Sequence, residues 1–240
     1  WEPPQFGHIS LILGKDRSKM SKRNGDVSVV NYQDAGFLPE ALVNFLALLG
    51  WAPEGEEEIF SMAELEKSFS LERVSKSPAV FDMDKLKWLN GQYLRKLPLE
   101  EVAKGIAPYV SGVTQLELLA ETLQNHLNTF AEAQNYLPLF QGENAQPLDE
   151  EGKAVLAEET VPQVLDLFAE KMAALDDITP GGVKDALKAI RKETGLSGAK
   201  VFMPVRLALT GCQHGPDIDK LVALMGRDIL NKRLAQARKN

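Results

Sequence analysis

The sequence predicts a mainly α protein, with a small α/β start and an all-helical remainder. Three observations carry this. Residues 8–13 form an apolar run closed by Gly14, which reads as a buried strand. From Pro39 onward, apolar residues recur at helical spacing between recognisable caps. Beyond residue 97 no segment alternates with the period of a strand.

The elements follow in order. After the first strand comes a basic loop, then a turn signal at Asn24-Gly25-Asp26 and a short strand near residues 27–30. Pro39 fits a first helical position, Leu42, Phe45, Leu46 and Leu49 make one apolar stripe, and Gly50 sits where a C-terminal cap belongs. Residues 54–58 read as a solvated acidic turn. Ser61-Met62-Ala63-Glu64 is a capping box. Ser75-Lys76-Ser77-Pro78 breaks the pattern, and Asp84 is placed to cap a helix through Leu86, Leu89 and Tyr93. At helical spacing, Trp88 and Tyr93 read as core. Thr114-Gln115-Leu116-Glu117 is a second capping box, opening a long periodic segment that runs through Leu123, Leu127 and Phe130 to Leu137-Pro138. Residues 141–147 are polar and make the best internal boundary of the second half. Helices are expected again over residues 161–172, from Thr179-Pro180, after Met203-Pro204, and through Leu221, Met225, Ile229 and Leu234. Two domains are expected, over residues 1–97 and 98–240, with subdomains 98–145 and 146–240.

Composition narrows the function classes. The chain has 240 residues, 44% apolar and 25% charged, enough for a sizeable core. A net charge of −7 argues against indiscriminate nucleic-acid binding, although local RNA contact depends on where cations are placed. One cysteine, Cys212, excludes an internal disulfide. No CxxC pair is present and the three histidines are far apart, so no metal site is expected. Without a membrane-length apolar run or a recognisable leader, a cytoplasmic, monomeric protein is expected. The opening Trp1-Glu2-Pro3-Pro4 runs almost directly into the first strand, which suggests a piece of a longer protein.

The chemistry concentrates in residues 15–23, where Lys15, Arg17, Lys19, Lys22 and Arg23 face one carboxylate, Asp16. Lysines on a loop leaving a strand make point-charge clamps for phosphate. The alternative is a solvated basic surface. Lys19-Met20-Ser21-Lys22-Arg23 resembles the second signature of class I aminoacyl-tRNA synthetases, in its glutamyl form. Its flanks resemble the same family, as do Leu46-Ala47-Leu48-Leu49-Gly50-Trp51, Trp88-Leu89-Asn90-Gly91-Gln92-Tyr93-Leu94-Arg95 and Phe202-Met203-Pro204-Val205-Arg206. The resemblance covers essentially the whole chain.

It implies the end of a class I catalytic domain, a stem-contact domain and a helical anticodon-binding domain, in an enzyme joining glutamate to tRNA(Glu) at the expense of ATP with Mg. Glutaminyl enzymes are disfavoured, because bacterial ones read the anticodon with β-barrels. By the same resemblance Lys22 is the main clamp on the leaving pyrophosphate and Lys19 a secondary one. Met20, Ser21 and Arg23 line the nucleotide, and His8 approaches it unless it is simply structural. Arg206 and its apolar neighbour Ile218 touch the anticodon. His126 stands where some members carry an arginine that insists on cytosine, which suggests relaxed choice between tRNA(Glu) and tRNA(Gln). The first class I signature is absent from the chain, so the piece alone is expected to be inactive. A free-standing helical tRNA-binding or partner-binding module without catalysis is the alternative, and a helical scaffold with no RNA role a third.

Overall fold

The computed structural model describes residues 1–4, 6–7, 9–20 and 28–238. The chain divides into two compact units. The first is Trp1–Tyr109 with Leu127–Glu132, and the second is Val110–His126 with Ala133–Asn240.

The first unit holds the only ladder among the described residues. β1 (Ile12–Leu13) pairs in parallel with β2 (Ala79–Val80), Ile12 opposite Ala79 and Leu13 opposite Val80. The strand expected over residues 8–13 thus keeps only its last two residues in the ladder, and β2 was too short to show a period. Residues 29–30 open a helix, α1 (Val29–Asp34), where a strand was expected; the β-branched pair sits in its first turn and Tyr32 is the residue it buries.

α2 (Pro39–Gly50) starts on its proline and buries Ala41, Leu42, Asn44 and Phe45, but Leu46 of the predicted stripe stays 43% exposed. Gly50 is the last helical residue, and the extended Trp51 takes the cap. Leu38, the N-cap of α2, has no side-chain acceptor to offer. Asn90 supplies one from elsewhere: its Oδ1 accepts from Leu38 N at 2.8 Å, and its Nδ2 donates to Asn128 O at 2.5 Å. That bond helps hold residues 127–132 against the first unit. Phe130 N also donates to Gly36 O at 3.0 Å, and Gly36 lies at φ 76, where a Cβ would sit 2.7 Å from Ala131 N.

The capping box at Ser61 forms and opens α3 (Met62–Ser68). α4 (Met83–Leu94) is capped by Asp82 rather than the predicted Asp84, which falls in the first turn. α4 buries Leu86, Leu89 and Leu94, while Trp88, expected in the core, is 45% exposed. The core itself packs Tyr32, Leu42, Phe45, Phe81 and Leu86, with Phe45 edge-on to Phe81 at 4.9 Å between centroids. Asn44 is fully buried and satisfied: Oδ1 accepts from Phe60 N and from the Tyr93 hydroxyl, each at 2.7 Å, and Nδ2 donates to Glu58 O. Burial pushes the Tyr93 phenol up to about 12. The acidic turn is tied down rather than merely solvated, Glu54 to Arg73 at 3.1 Å and Glu58 to Lys85. α5 (Leu99–Ile106) belongs to this unit although the sequence set a border at 97/98.

All the regular elements of the second unit among the described residues are helices. α6 (Leu116–Leu123) begins after Gln115 without a side-chain cap, so the predicted box at Thr114 does not form. The long rod expected to run to Leu137-Pro138 ends at Leu123 and continues as 3-10 segments, Gln124–His126 and Phe130–Leu139. Leu127, buried in the interruption, prolongs the apolar period across the break. α7 (Glu150–Leu156), α8 (Val161–Ala173), α9 (Pro180–Thr194), α10 (Gly198–Thr210) and α11 (Ile218–Ala237) follow. Thr179 caps α9 as predicted, accepting from Gly182 N at 3.1 Å. Pro204 lies inside α10 rather than before it, with its ring buried. α11 bends at Gly226, which takes φ 70. α10 packs on α8 and α11, and α9 on α8 and α11.

Residues 141–147 form no boundary inside this unit. Gln146 N donates to Thr210 O at 3.1 Å. Gly211, at φ 73, passes so close that a Cβ would lie 2.0 Å from Gln146 O. Arg233 of α11 is 1% exposed. It donates to the carbonyls of Pro138, Leu139, Gln141, Gly142 and Leu209. One guanidinium thereby satisfies carbonyls left without helical donors where Phe130–Leu139 ends.

Candidate functional site

The basic loop begins as a tight hairpin. Gly14 N donates to Ser18 O and Arg17 N to Gly14 O, each at 2.9 Å, and Met20 N donates to Ile12 O at 3.2 Å. Arg17 takes a positive φ of 61, uncommon for a residue with a Cβ. Asp16 braces the turn: its carboxylate accepts from Ser18 N at 3.0 Å and from Ser18 Oγ at 2.8 Å. The Ser18 amide, then its hydroxyl, hold the Asp16 carboxyl below its ordinary value. Hence the only carboxylate of the run is occupied inside the turn.

Lys15 is also committed. Its Nζ donates to Asp84 Oδ2 at 2.6 Å and lies 3.8 Å from Asp82 Oδ1. The bond to Asp84 raises the lysine and lowers the carboxyl. Sequence reasoning grouped Lys15 with the other cations of the loop; the signal it passed over was the Asp82-Met83-Asp84 pair opening α4. Lys19 is exposed and its backbone bridges Leu13, while half-buried Met20 packs on the core beside Tyr32 and Leu42. The loop therefore roots its first half by backbone, by Asp16 and by Lys15, and presents Lys19 outward. His8, Ser21, Lys22 and Arg23 lie outside the described residues.

In the second unit the structure brings Arg206 and Ile218 together. Arg206 stands on α10, and its Nη2 donates to Pro216 O at 2.5 Å, two residues before Ile218 opens α11. Gly215 lies alongside at φ 137, and a Cβ on it would make only ordinary contact, 3.7 Å from Arg206 Nη1. That Nη1 is buried and has no protein acceptor among the described residues. Burial lowers the guanidinium from its ordinary value, against the pull of Asp217. Ile218 is 7% exposed. His126 is exposed on its 3-10 turn; its carbonyl accepts from the Tyr136 hydroxyl at 3.1 Å, and the two rings are tilted 6.2 Å apart. α11 is joined to α6 by Lys220–Glu121 at 3.1 Å. The Pro216 carbonyl, which holds the arginine, was missed; a Gly-Pro step just ahead of the helix was the available signal.

Comparison with known proteins agrees along the chain. The family of tRNA synthetases class I (E and Q), catalytic domain, matches residues 1–88, and the anticodon binding domain family matches residues 84–238. A glutamate–tRNA ligase of Heliobacterium modesticaldum is 49% identical over 247 residues, 98% of this chain and 50% of that protein. The Bacillus subtilis glutamate–tRNA ligase is 42% identical over 98% of this chain and 51% of its own length. A crystal structure of a glutamate tRNA ligase from Elizabethkingia meningosepticum, in complex with its amino acid, superposes with a TM-score of 0.82 at 28% identity, covering 100% of this chain and 52% of that one. The chain spans about half the length of the relatives it matches. By the match over most of its length, together with the segment ahead of it, this chain belongs to the anticodon binding domain family, joined to part of a class I (E and Q) tRNA synthetase catalytic domain.

Proposed function

We propose that the chain works as the tRNA-reading part of an enzyme that joins glutamate to tRNA(Glu) using ATP with Mg, and that it also carries the enzyme's lysine loop. Residues 1–97 supply the loop and contacts to the tRNA stem, and residues 98–240 read the anticodon. The observation that carries this reading is the seat of Arg206. A half-buried guanidinium with one arm fixed to the Pro216 carbonyl is held in one orientation, so that its exposed part is placed to stack on a splayed base. Ile218, buried two residues beyond Pro216, is the apolar neighbour of that contact.

The rooted hairpin places Lys19 outward at the start of the signature, with Lys22 following as the main clamp. In the first half-reaction the glutamate carboxylate attacks the α-phosphate of ATP, and negative charge moves onto the leaving pyrophosphate. Lysines that meet this charge as it develops lower the barrier more than they tighten ATP binding. His126, in place of an arginine, lets the site accept tRNA(Gln) as well.

The direct test is titration of the chain with RNA hairpins bearing the glutamate or glutamine anticodon. Tight binding is expected to both, and Arg206→Ala should weaken it by about 1–3 kcal/mol, the range for a lost base-stacking contact. Binding unchanged in Arg206→Ala would refute the anticodon reading. For the loop, Lys22→Ala in a full-length ligase should slow adenylate formation far more than it weakens ATP; the reverse pattern would refute the clamp.

A further inference from the structure

Between α7, α10 and α11 the second unit leaves a cleft of about 350 Å³, within the size range of small-molecule sites. Leu148, Leu156 and Leu207 make its apolar floor, and Arg233 closes its back. The side-chain amides of Asn144, Gln146 and Gln236 line it as well, and none of them is bonded to protein among the described residues.

The charge of the cleft is one-sided. Its charged lining is Arg233 at the back and Lys153 at the rim, with no carboxylate among the described residues. Lys153 is already balanced, its Nζ 2.7 Å from Glu150 Oε1. Glu143, next in sequence to Asn144, pairs with Lys232. Arg233 has no such partner. It is 1% exposed, and among the described residues it bonds only to backbone carbonyls. Carbonyls satisfy its N–H groups, but they bring dipoles and no counter-charge, and a buried charge without an opposite one is costly. Burial alone lowers this guanidinium, with no carboxylate acting to raise it. One uncompensated positive charge behind an apolar floor suits a ligand with a single negative charge and a short apolar body.

We infer that this cleft binds a small organic carboxylate, its apolar body against Leu148, Leu156 and Leu207 and its oxygens toward the amides of Asn144, Gln146 and Gln236. Arg233 acts through its field, because its N–H groups are already spent on carbonyls. The site is separate from the seat of Arg206 and does not rest on the anticodon reading.

The probe is hexanoate, with hexanamide as an uncharged molecule of the same size. Each is titrated into the isotope-labelled 240-residue chain while NMR follows the side-chain amide signals of Asn144, Gln146 and Gln236. Saturable shifts are expected at about millimolar hexanoate, in keeping with so few heavy atoms. Hexanamide should bind about tenfold more weakly, because it gains nothing from the charge. Gln236→Glu puts a carboxylate into the cleft, and Lys153→Gln leaves Glu150 unbalanced at its rim. Each should weaken hexanoate by about threefold and leave hexanamide unchanged. Both side chains are exposed, so circular dichroism of the variants should match that of the parent. No shift at these amides, equal affinity for the two probes, or an affinity for hexanoate that neither variant lowers would overturn the inference.

Discussion

The two units close their cores to different degrees. Every exposed large apolar side chain among the described residues lies in the first unit, from Trp1 to Leu99. The second unit buries Leu119, Phe140, Phe168, Ile190, Val205 and Leu221 to 2% exposure or less. Their polar interiors differ as well. The second unit gathers loose carbonyls on one buried charge, Arg233, whereas the first uses neutral amides, Asn44 and Asn90, to join segments far apart in sequence. A closed helical unit can stand on its own burial, while an open α/β piece relies on specific bonds and leaves surface for something else to cover.

The strongest test of that contrast pairs two truncations. Phe168→Ala should cost about 3–5 kcal/mol as a core cavity, whereas Leu46→Ala should stay within about 0.5 kcal/mol because it is exposed. Urea unfolding followed by circular dichroism measures both, and equal costs would erase the distinction.

Next in size, Arg233→Met should destabilise by about 2–4 kcal/mol, since it keeps the aliphatic stem but strands buried carbonyls. All three tryptophans, Trp1, Trp51 and Trp88, lie in the first unit, so tryptophan fluorescence follows that unit alone. The loss should show in circular dichroism and leave the fluorescence transition in place; a shift of both would mean that the units unfold as one.

Asn90→Ala should reverse that pattern at about 1–3 kcal/mol, moving the fluorescence transition by removing the distant cap of α2 and an anchor of residues 127–132.

The smallest effect lies at the loop. Asp84 and Asp16 have lowered carboxyls, so what they contribute is present above the ordinary carboxylate range and is lost as pH falls through their depressed values. Lys15 is raised, so its side of the pair persists until pH climbs past the ordinary lysine value. The protection of the Ser18 amide, its exchange rate relative to that of an unstructured amide at the same pH, should therefore fall only in acid. Loss of protection already near neutrality would show that Asp16 does not hold the turn.

Much of the fold was legible where the signal was local. Pro39, the Ser61–Glu64 box, Thr179-Pro180 and the absence of strand periods past residue 97 read correctly because propensity, caps and apolar spacing act within a few residues. The errors arose where distant partners overrode local pattern. Asp82 capped α4 in place of Asp84, the rod after Leu123 tightened into 3-10 turns while its apolar period ran on, and Trp88 kept core spacing but faced out. At the site, Arg206 and Ile218 were named from sequence, but neither the Pro216 carbonyl that orients the arginine nor the Asp84 that takes Lys15 announces itself in a linear pattern.

What the sequence determined by itself is the helical character from Pro39 onward, the starts at Pro39, Ser61 and Thr179, and the grouping of cations after the first strand, all properties of neighbouring residues. Tertiary structure alone decided which cations are already paired, which amides cap distant helices and which apolar side chains remain outside. Those outcomes depend on groups such as Asn90 and Leu38, or Arg233 and Leu139, that meet only after the chain has folded back on itself.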